Sequence, residues 1–100
     1  MNSSVIESTS AAATSVRVTD EELSFDLADG RSVSAPLAWY PRLLHGTSEE
    51  RANWRLIGRG YGVHWPDLDE DISVENLLRG QASGESQASL QRWLDARKKS

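Results

Sequence analysis

The chain has 100 residues and a net charge of −4, with 38% hydrophobic and 26% charged residues. This length supports one domain, and the absence of cysteine excludes disulfides, thiolate metal sites and a cysteine nucleophile. The acidic balance argues against nucleic-acid binding by the chain itself, and no apolar run approaches the roughly 20 residues that cross a bilayer. We therefore expect a cytoplasmic protein without a membrane segment.

The N-terminal half predicts a tail followed by three short antiparallel strands. Residues 1–14 are rich in Ser, Thr and Ala and are expected to form a disordered tail, followed by a compact domain over residues 15–80. Alternating apolar and polar residues predict strands over residues 16–19, 23–27 and 33–35. A three-residue loop ending at Gly30 keeps the apolar side chains of the last two strands on one face, because it pairs Phe25 with Val33.

Two short helices are expected next. Pro41 suits the first turn of a helix, and Gly46 is predicted to end it as a C′ glycine. Thr47 and Glu50 have the spacing of a capping box, in which each side chain bonds the backbone of the other residue.

Residues 54–65 predict a hairpin that turns at Arg59 and Gly60. This register pairs Trp54 with Trp65 and Leu56 with Val63, so that one face is apolar and buried. The opposite face carries two polar residues across from each other, Arg55 and His64.

The acidic run over residues 67–71 raises the question of a metal site, acid–base chemistry or a helix entry. A calcium loop starting at Asp67 has Ile72 where glycine is required and Leu78 where glutamate is required. Carboxylates before a helix stabilise its positive end, and Ser73 is a good N-cap for a helix that ends at Gly80. We therefore interpret the run as a strand exit and helix entry, with no metal and no cofactor.

The C-terminal residues predict a flexible connector over residues 81–85 and a helix over residues 86–100. Leu90, Trp93 and Leu94 form a narrow apolar stripe on this otherwise polar helix. Trp93 either docks on the domain or enters a groove of a partner protein, and we expect docking because exposed aromatic stripes favour aggregation.

The motifs resemble those of the bacterial domain-of-unknown-function 2442 family. The resemblance covers roughly residues 16–80 and rests on Asp29-Gly30-Arg31, Tyr40-Pro41-Arg42-Leu43, Asn53-Trp54 and Gly62-Val63-His64-Trp65-Pro66, among other segments. It implies a compact α+β domain, in some relatives joined to a helix-turn-helix module, and some relatives are suspected of an antitoxin-like role. No catalytic residues come with the family, and this chain has no evident helix-turn-helix.

Together these observations predict an α+β fold: a small antiparallel β-meander and hairpins packed with short helices and a C-terminal helix. No catalytic constellation is present, so we expect a non-enzymatic protein-binding or regulatory module, antitoxin-like, with a partner encoded by a neighbouring gene. The alternative is a site for a small anionic ligand, or an enzymatic site, on the Arg55–His64 face. The candidate binding residues are Arg55, His64, Arg42, Arg51 and Trp93.

Overall fold

Two three-stranded antiparallel sheets form the framework of the computed structural model, which describes residues 11–98. The first sheet has the order β1-β2-β3 and the second β4-β5-β6. The strands are β1 (Ala13–Val18), β2 (Glu22–Leu27), β3 (Ser32–Pro36), β4 (Arg55–Ile57), β5 (Gly62–Trp65) and β6 (Glu70–Ser73). The helices are α1 (Pro41–Leu44), α2 (Ser48–Ala52), α3 (Val74–Leu78) and α4 (Gln87–Lys98). The architecture is α+β, as the sequence predicts.

The first sheet has the predicted register between its second and third strands. Phe25 pairs with Val33 and Leu23 with Ala35, and Gly30 has a φ of 94°, which glycine adopts at no steric cost. β1, however, begins at Ala13 rather than at residue 16, and Ala13 is buried. The predicted tail therefore ends earlier than residue 14, and its residues 1–10 lie outside the described chain.

The second sheet contains the predicted hairpin and one strand, β6, that the sequence pattern did not predict. Leu56 pairs with Val63 and Arg55 with His64, as expected, although Trp54 lies just outside the paired residues. β6 pairs with β5 and includes part of the acidic run, so the interpretation of this run as a helix entry is wrong. Asp69 adopts a φ of 52°, which closes the turn before β6.

One hydrophobic cluster joins both sheets to the short helices. Leu68, in the turn between β5 and β6, and Ile72, in β6, are both buried. Burying one large apolar side chain contributes about 1.5–3 kcal/mol, so these side chains hold the two sheets together. The largest fully buried members are Trp65, Phe25, Leu23, Leu37, Leu43, Leu68, Val63 and Val74.

The predicted caps are present, but one glycine has a different role. Thr47 and Glu50 form the capping box of α2. Gly46 follows α1 without the left-handed conformation of a C′ glycine. A β-carbon at Gly46 would lie 3.0 Å from a methyl group of Leu68, so close packing against this side chain favours glycine here.

Candidate functional site

The β4–β5 hairpin carries most of the exposed large hydrophobic residues in the described chain. Leu56, Ile57 and Tyr61 are 39%, 37% and 49% exposed, and they are three of the four large hydrophobic residues exposed within residues 11–98. The prediction that Leu56 lies on a buried face is therefore wrong. Its cross-strand partner Val63 is fully buried, so the buried face of the second sheet ends at β5 and does not include β4.

This exposure follows from the position of β4 in its sheet. β4 pairs only with β5, so its other edge carries no strand from the described part of the chain. An edge strand presents unpaired backbone N–H and C=O groups, which form a template for pairing with another chain. Arg59, in the turn after β4, has a φ of 61°, an uncommon conformation for a residue other than glycine.

Two arginines flank the exposed apolar residues. Neither Arg55 nor Arg59 forms an ion pair with any residue within the described range. Six other arginines do form ion pairs: Arg17, Arg31, Arg42, Arg51, Arg79 and Arg97. We name Arg55, Leu56, Ile57, Arg59 and Tyr61 the hairpin surface.

His64 borders the hairpin surface but already has a partner. Arg55, His64 and Asp71 lie side by side on the three strands of the second sheet. The Nδ1 atom of His64 bonds a carboxylate oxygen of Asp71. The structure therefore brings together Arg55 and His64, as predicted, and adds a carboxylate that sequence reasoning did not place there.

The structure brings together two further predicted site residues, Arg42 and Trp93. Arg42 donates to both carboxylate oxygens of Glu85, at 2.6 Å from its Nη2 atom, and these bonds raise the pKa of Arg42. The guanidinium of Arg97 lies 4.7 Å from the centroid of the Trp93 ring and donates to both carboxylate oxygens of Glu50. We name Arg42, Glu50, Glu85, Trp93 and Arg97 the C-terminal clamp.

The C-terminal clamp accounts for the predicted docking of the last helix. Trp93 is half-buried and packs against the core cluster, so α4 lies on the domain. The segment before α4 is also bonded to the domain and is not a free connector. Ser83 donates its N–H to the carbonyl of Trp39, and Tyr40 donates its hydroxyl to the carbonyl of Gln81.

Arg51 is committed to the fold and stays apart from the other predicted site residues. Its guanidinium donates to the carbonyls of Leu43 and Leu44 at the end of α1, and to Asp20 at 2.8 Å. Its own carbonyl accepts the indole N–H of Trp65. These bonds fasten α1 to α2 and leave Arg51 little freedom to bind a ligand.

Glu70 is the most buried carboxylate of the acidic run. Burial raises its pKa, because a carboxylate loses solvation there. It lines a cavity of about 290 Å³ together with Tyr40, Asn76 and Ser83. The other carboxylates diverge: Asp67 accepts from Asn53, Asp69 faces Arg42, and Asp71 bonds His64.

The described residues also contain neither a cluster of metal-ligating side chains nor a membrane-spanning helix. Over residues 11–98, no three His, Asp or Glu side chains come close enough together to hold a metal ion. In the same range, every helix is too short or too polar to cross a membrane.

Comparisons with known proteins identify relatives without a known activity. A family model described as "Protein of unknown function (DUF2442)" matches residues 13–83. The crystal structure of a protein of unknown function from Rhodospirillum rubrum is 24% identical, with a TM-score of 0.65 over 80% of this chain and 96% of that chain. The solution NMR structure of an uncharacterized protein from Chromobacterium violaceum is 20% identical, with a TM-score of 0.65 over 91% of this chain and 84% of that chain. No curated protein matches.

Proposed function

Because the chain belongs to a family of proteins of unknown function, DUF2442, we propose its role from its own surface: a non-enzymatic module that binds a protein partner through the hairpin surface. The observation that supports this proposal is the exposure of Leu56, Ile57 and Tyr61 on one hairpin, whose strand β4 is a sheet edge. The same hairpin carries Arg55 and Arg59, which form no ion pair with any described residue. Exposed apolar side chains beside an open strand edge are typical of protein–protein contacts.

The hairpin surface is also available, unlike the other candidate residues. Arg42, Arg51 and Trp93 hold helices to the domain, so recruiting them for binding would break contacts that stabilise the fold. Tyr61 and Arg55 have exposed side chains, and both types of residue are enriched at the energetic centres of interfaces. A partner can bind there without rearranging the domain.

The partner in this proposal is encoded by a neighbouring gene, and the role is regulatory, as for an antitoxin. This part rests on the family resemblance alone. Its consequence is testable, since an antitoxin-like protein forms a complex with the co-encoded protein and suppresses that protein's effect on growth.

A photo-crosslinking experiment tests the proposal. A photoreactive phenylalanine analogue replaces Tyr61 in one variant and Ala28, exposed in the β2–β3 loop, in a control variant. Each variant is co-expressed with the products of the neighbouring genes. We expect a crosslinked heterodimer from position 61 and none from position 28. Equal crosslinking at both positions, or none at either, would contradict binding through the hairpin surface.

A small anionic ligand at the Arg55–His64 face is the second candidate, and the direct pairing of these two residues favours it. The carboxylate of Asp71 on the neighbouring strand weakens it, because this negative charge faces the same row. Thermal unfolding with phosphate, sulfate or nucleotides tests this alternative. A saturable rise in melting temperature that is lost in Arg55→Ala and His64→Ala would favour the ligand over the protein partner.

A further inference from the structure

The edge of β4 indicates which kind of segment its partner supplies. Side chains alternate along a strand, so Arg55 and Ile57 point to one face of the second sheet and Leu56 to the other. The Leu56 face continues into Val63 and Ile72, which are both buried. A strand added beside β4 would therefore extend the hydrophobic core on the Leu56 face. On the opposite face it would contact the guanidinium group of Arg55.

We propose that an extended segment with alternating acidic and apolar residues adds to the second sheet as a fourth strand beside β4. This inference rests on the proposed function, because it names the partner chemistry of the hairpin surface. The apolar residues of the segment cover Leu56, and its carboxylates pair with Arg55 and Arg59. Backbone hydrogen bonds to the open edge supply affinity, while the alternation of side chains supplies specificity.

Charge complementarity selects this occupant over a second copy of the chain. Residues 55–61 contain two arginines and no carboxylate. Two hairpins that meet at this edge would bring four arginines near one another without a carboxylate from residues 55–61 of either copy. Asp71 lies on the same row as Arg55, but it is two strands away and bonds His64. Like charges brought close together repel, so self-association of this edge is disfavoured.

Synthetic peptides test the proposal, with binding followed by fluorescence anisotropy. The probe is a nine-residue peptide that alternates glutamate with valine and isoleucine. One control has the same composition with acidic and apolar residues in separate blocks, and another has lysine in place of glutamate. A third control is the alternating peptide with N-methyl groups along one backbone edge, which removes the donors that pair with β4.

We expect saturable binding of the alternating peptide alone. Arg55→Glu should weaken this binding by about tenfold or more, since it turns an attraction into a repulsion. Arg92→Glu, the same change at an exposed arginine of α4, should leave binding unchanged. Circular dichroism confirms that both variants are folded, and the N-methylated peptide tests the backbone contacts independently of any variant.

Other results overturn the inference. Equal binding of the block peptide, or of the N-methylated peptide, would show that charge alone attracts the probe and that no strand is added. Self-association of the protein that Leu56→Arg abolishes would assign the edge to a second copy. Absence of peptide binding together with a crosslinked heterodimer from position 61 would overturn strand addition and leave the proposed function standing.

Discussion

The guanidinium carbon of Arg42 lies 5.2 Å from the centroid of the Trp93 ring, and so connects α1 to the C-terminal helix. Arg97 lies 4.7 Å from the same ring, and each arginine also bonds a glutamate. A guanidinium within about 6 Å of an aromatic ring is attracted by its electron-rich face. The C-terminal clamp therefore holds a mostly polar helix with a small number of specific contacts.

Truncating Trp93 should release this helix at a measurable cost. We expect Trp93→Ala to lower the free energy of unfolding by about 2–3 kcal/mol, from lost apolar burial and two lost cation–π contacts. Arg92→Ala, at the exposed neighbouring position, should change it by less than about 0.5 kcal/mol. Urea unfolding of both variants makes the comparison. Equal stability of the two variants would show that Trp93 does not hold the helix.

The pairing of Glu85 with Arg42 should make stability depend on pH. The hydrogen bonds from Arg42 lower the pKa of Glu85. The ion pair therefore stabilises the fold above the ordinary pKa of a glutamate, and this stabilisation is lost as the pH falls through the lowered pKa of Glu85. We expect Glu85→Gln to cost about 1–3 kcal/mol at neutral pH and progressively less toward about pH 3. Urea unfolding across this range measures the difference. A cost that is independent of pH would contradict the ionic contribution.

Glu70 should behave in the opposite way. Burial raises its pKa, so the folded chain binds this proton more tightly than the unfolded chain does. The wild type therefore loses stability as the pH rises from the ordinary pKa of a glutamate through the raised value. Glu70→Gln removes the charge but keeps an oxygen that accepts the N–H of Asp71. We expect this variant to melt above the wild type at neutral pH and close to it in acid; a lower melting temperature at neutral pH would contradict the cost of burial.

Trp65 and its neighbour His64 should differ strongly in their contribution to stability. Trp65 is fully buried and donates its indole N–H to the carbonyl of Arg51, so Trp65→Ala should cost about 3–5 kcal/mol. His64→Ala loses a pair with the exposed Asp71 and the packing of a ring that is 21% exposed, so it should cost about 1 kcal/mol. Chemical denaturation of both variants measures the contrast. A cost at His64 as large as that at Trp65 would place the histidine in the core.

Two glycines offer a matched test of close packing. Gly46→Ala would place a β-carbon 3.0 and 3.1 Å from the two methyl groups of Leu68, so it should cost about 1–3 kcal/mol. Gly84→Ala meets no atom within 4 Å and should be neutral or stabilising by about 0.4–1 kcal/mol. Thermal unfolding compares the variants. If Gly46→Ala is tolerated, Leu68 can move aside and the position does not require glycine.

The sequence by itself determined the register of both hairpins. Shifting either strand pair by one residue would move every apolar side chain to the opposite face, so the pairings of Phe25 with Val33 and of Leu56 with Val63 follow from alternation alone. The capping box and the N-cap at Ser73 were also predictable, because each depends on residues within one helical turn.

Only the tertiary structure decided the features that depend on distant residues. β6 is a strand because β5 is available to pair with it, while its carboxylates by themselves equally suit a helix entry. Arg42 and Glu85 are separated by 43 residues, and Arg97 and Glu50 by 47, so no local pattern predicts the C-terminal clamp. The exposure of Leu56 likewise depends on which strand stands at the edge of the second sheet. Alternation predicts the face to which a side chain points, but only the order of strands determines whether another element covers it.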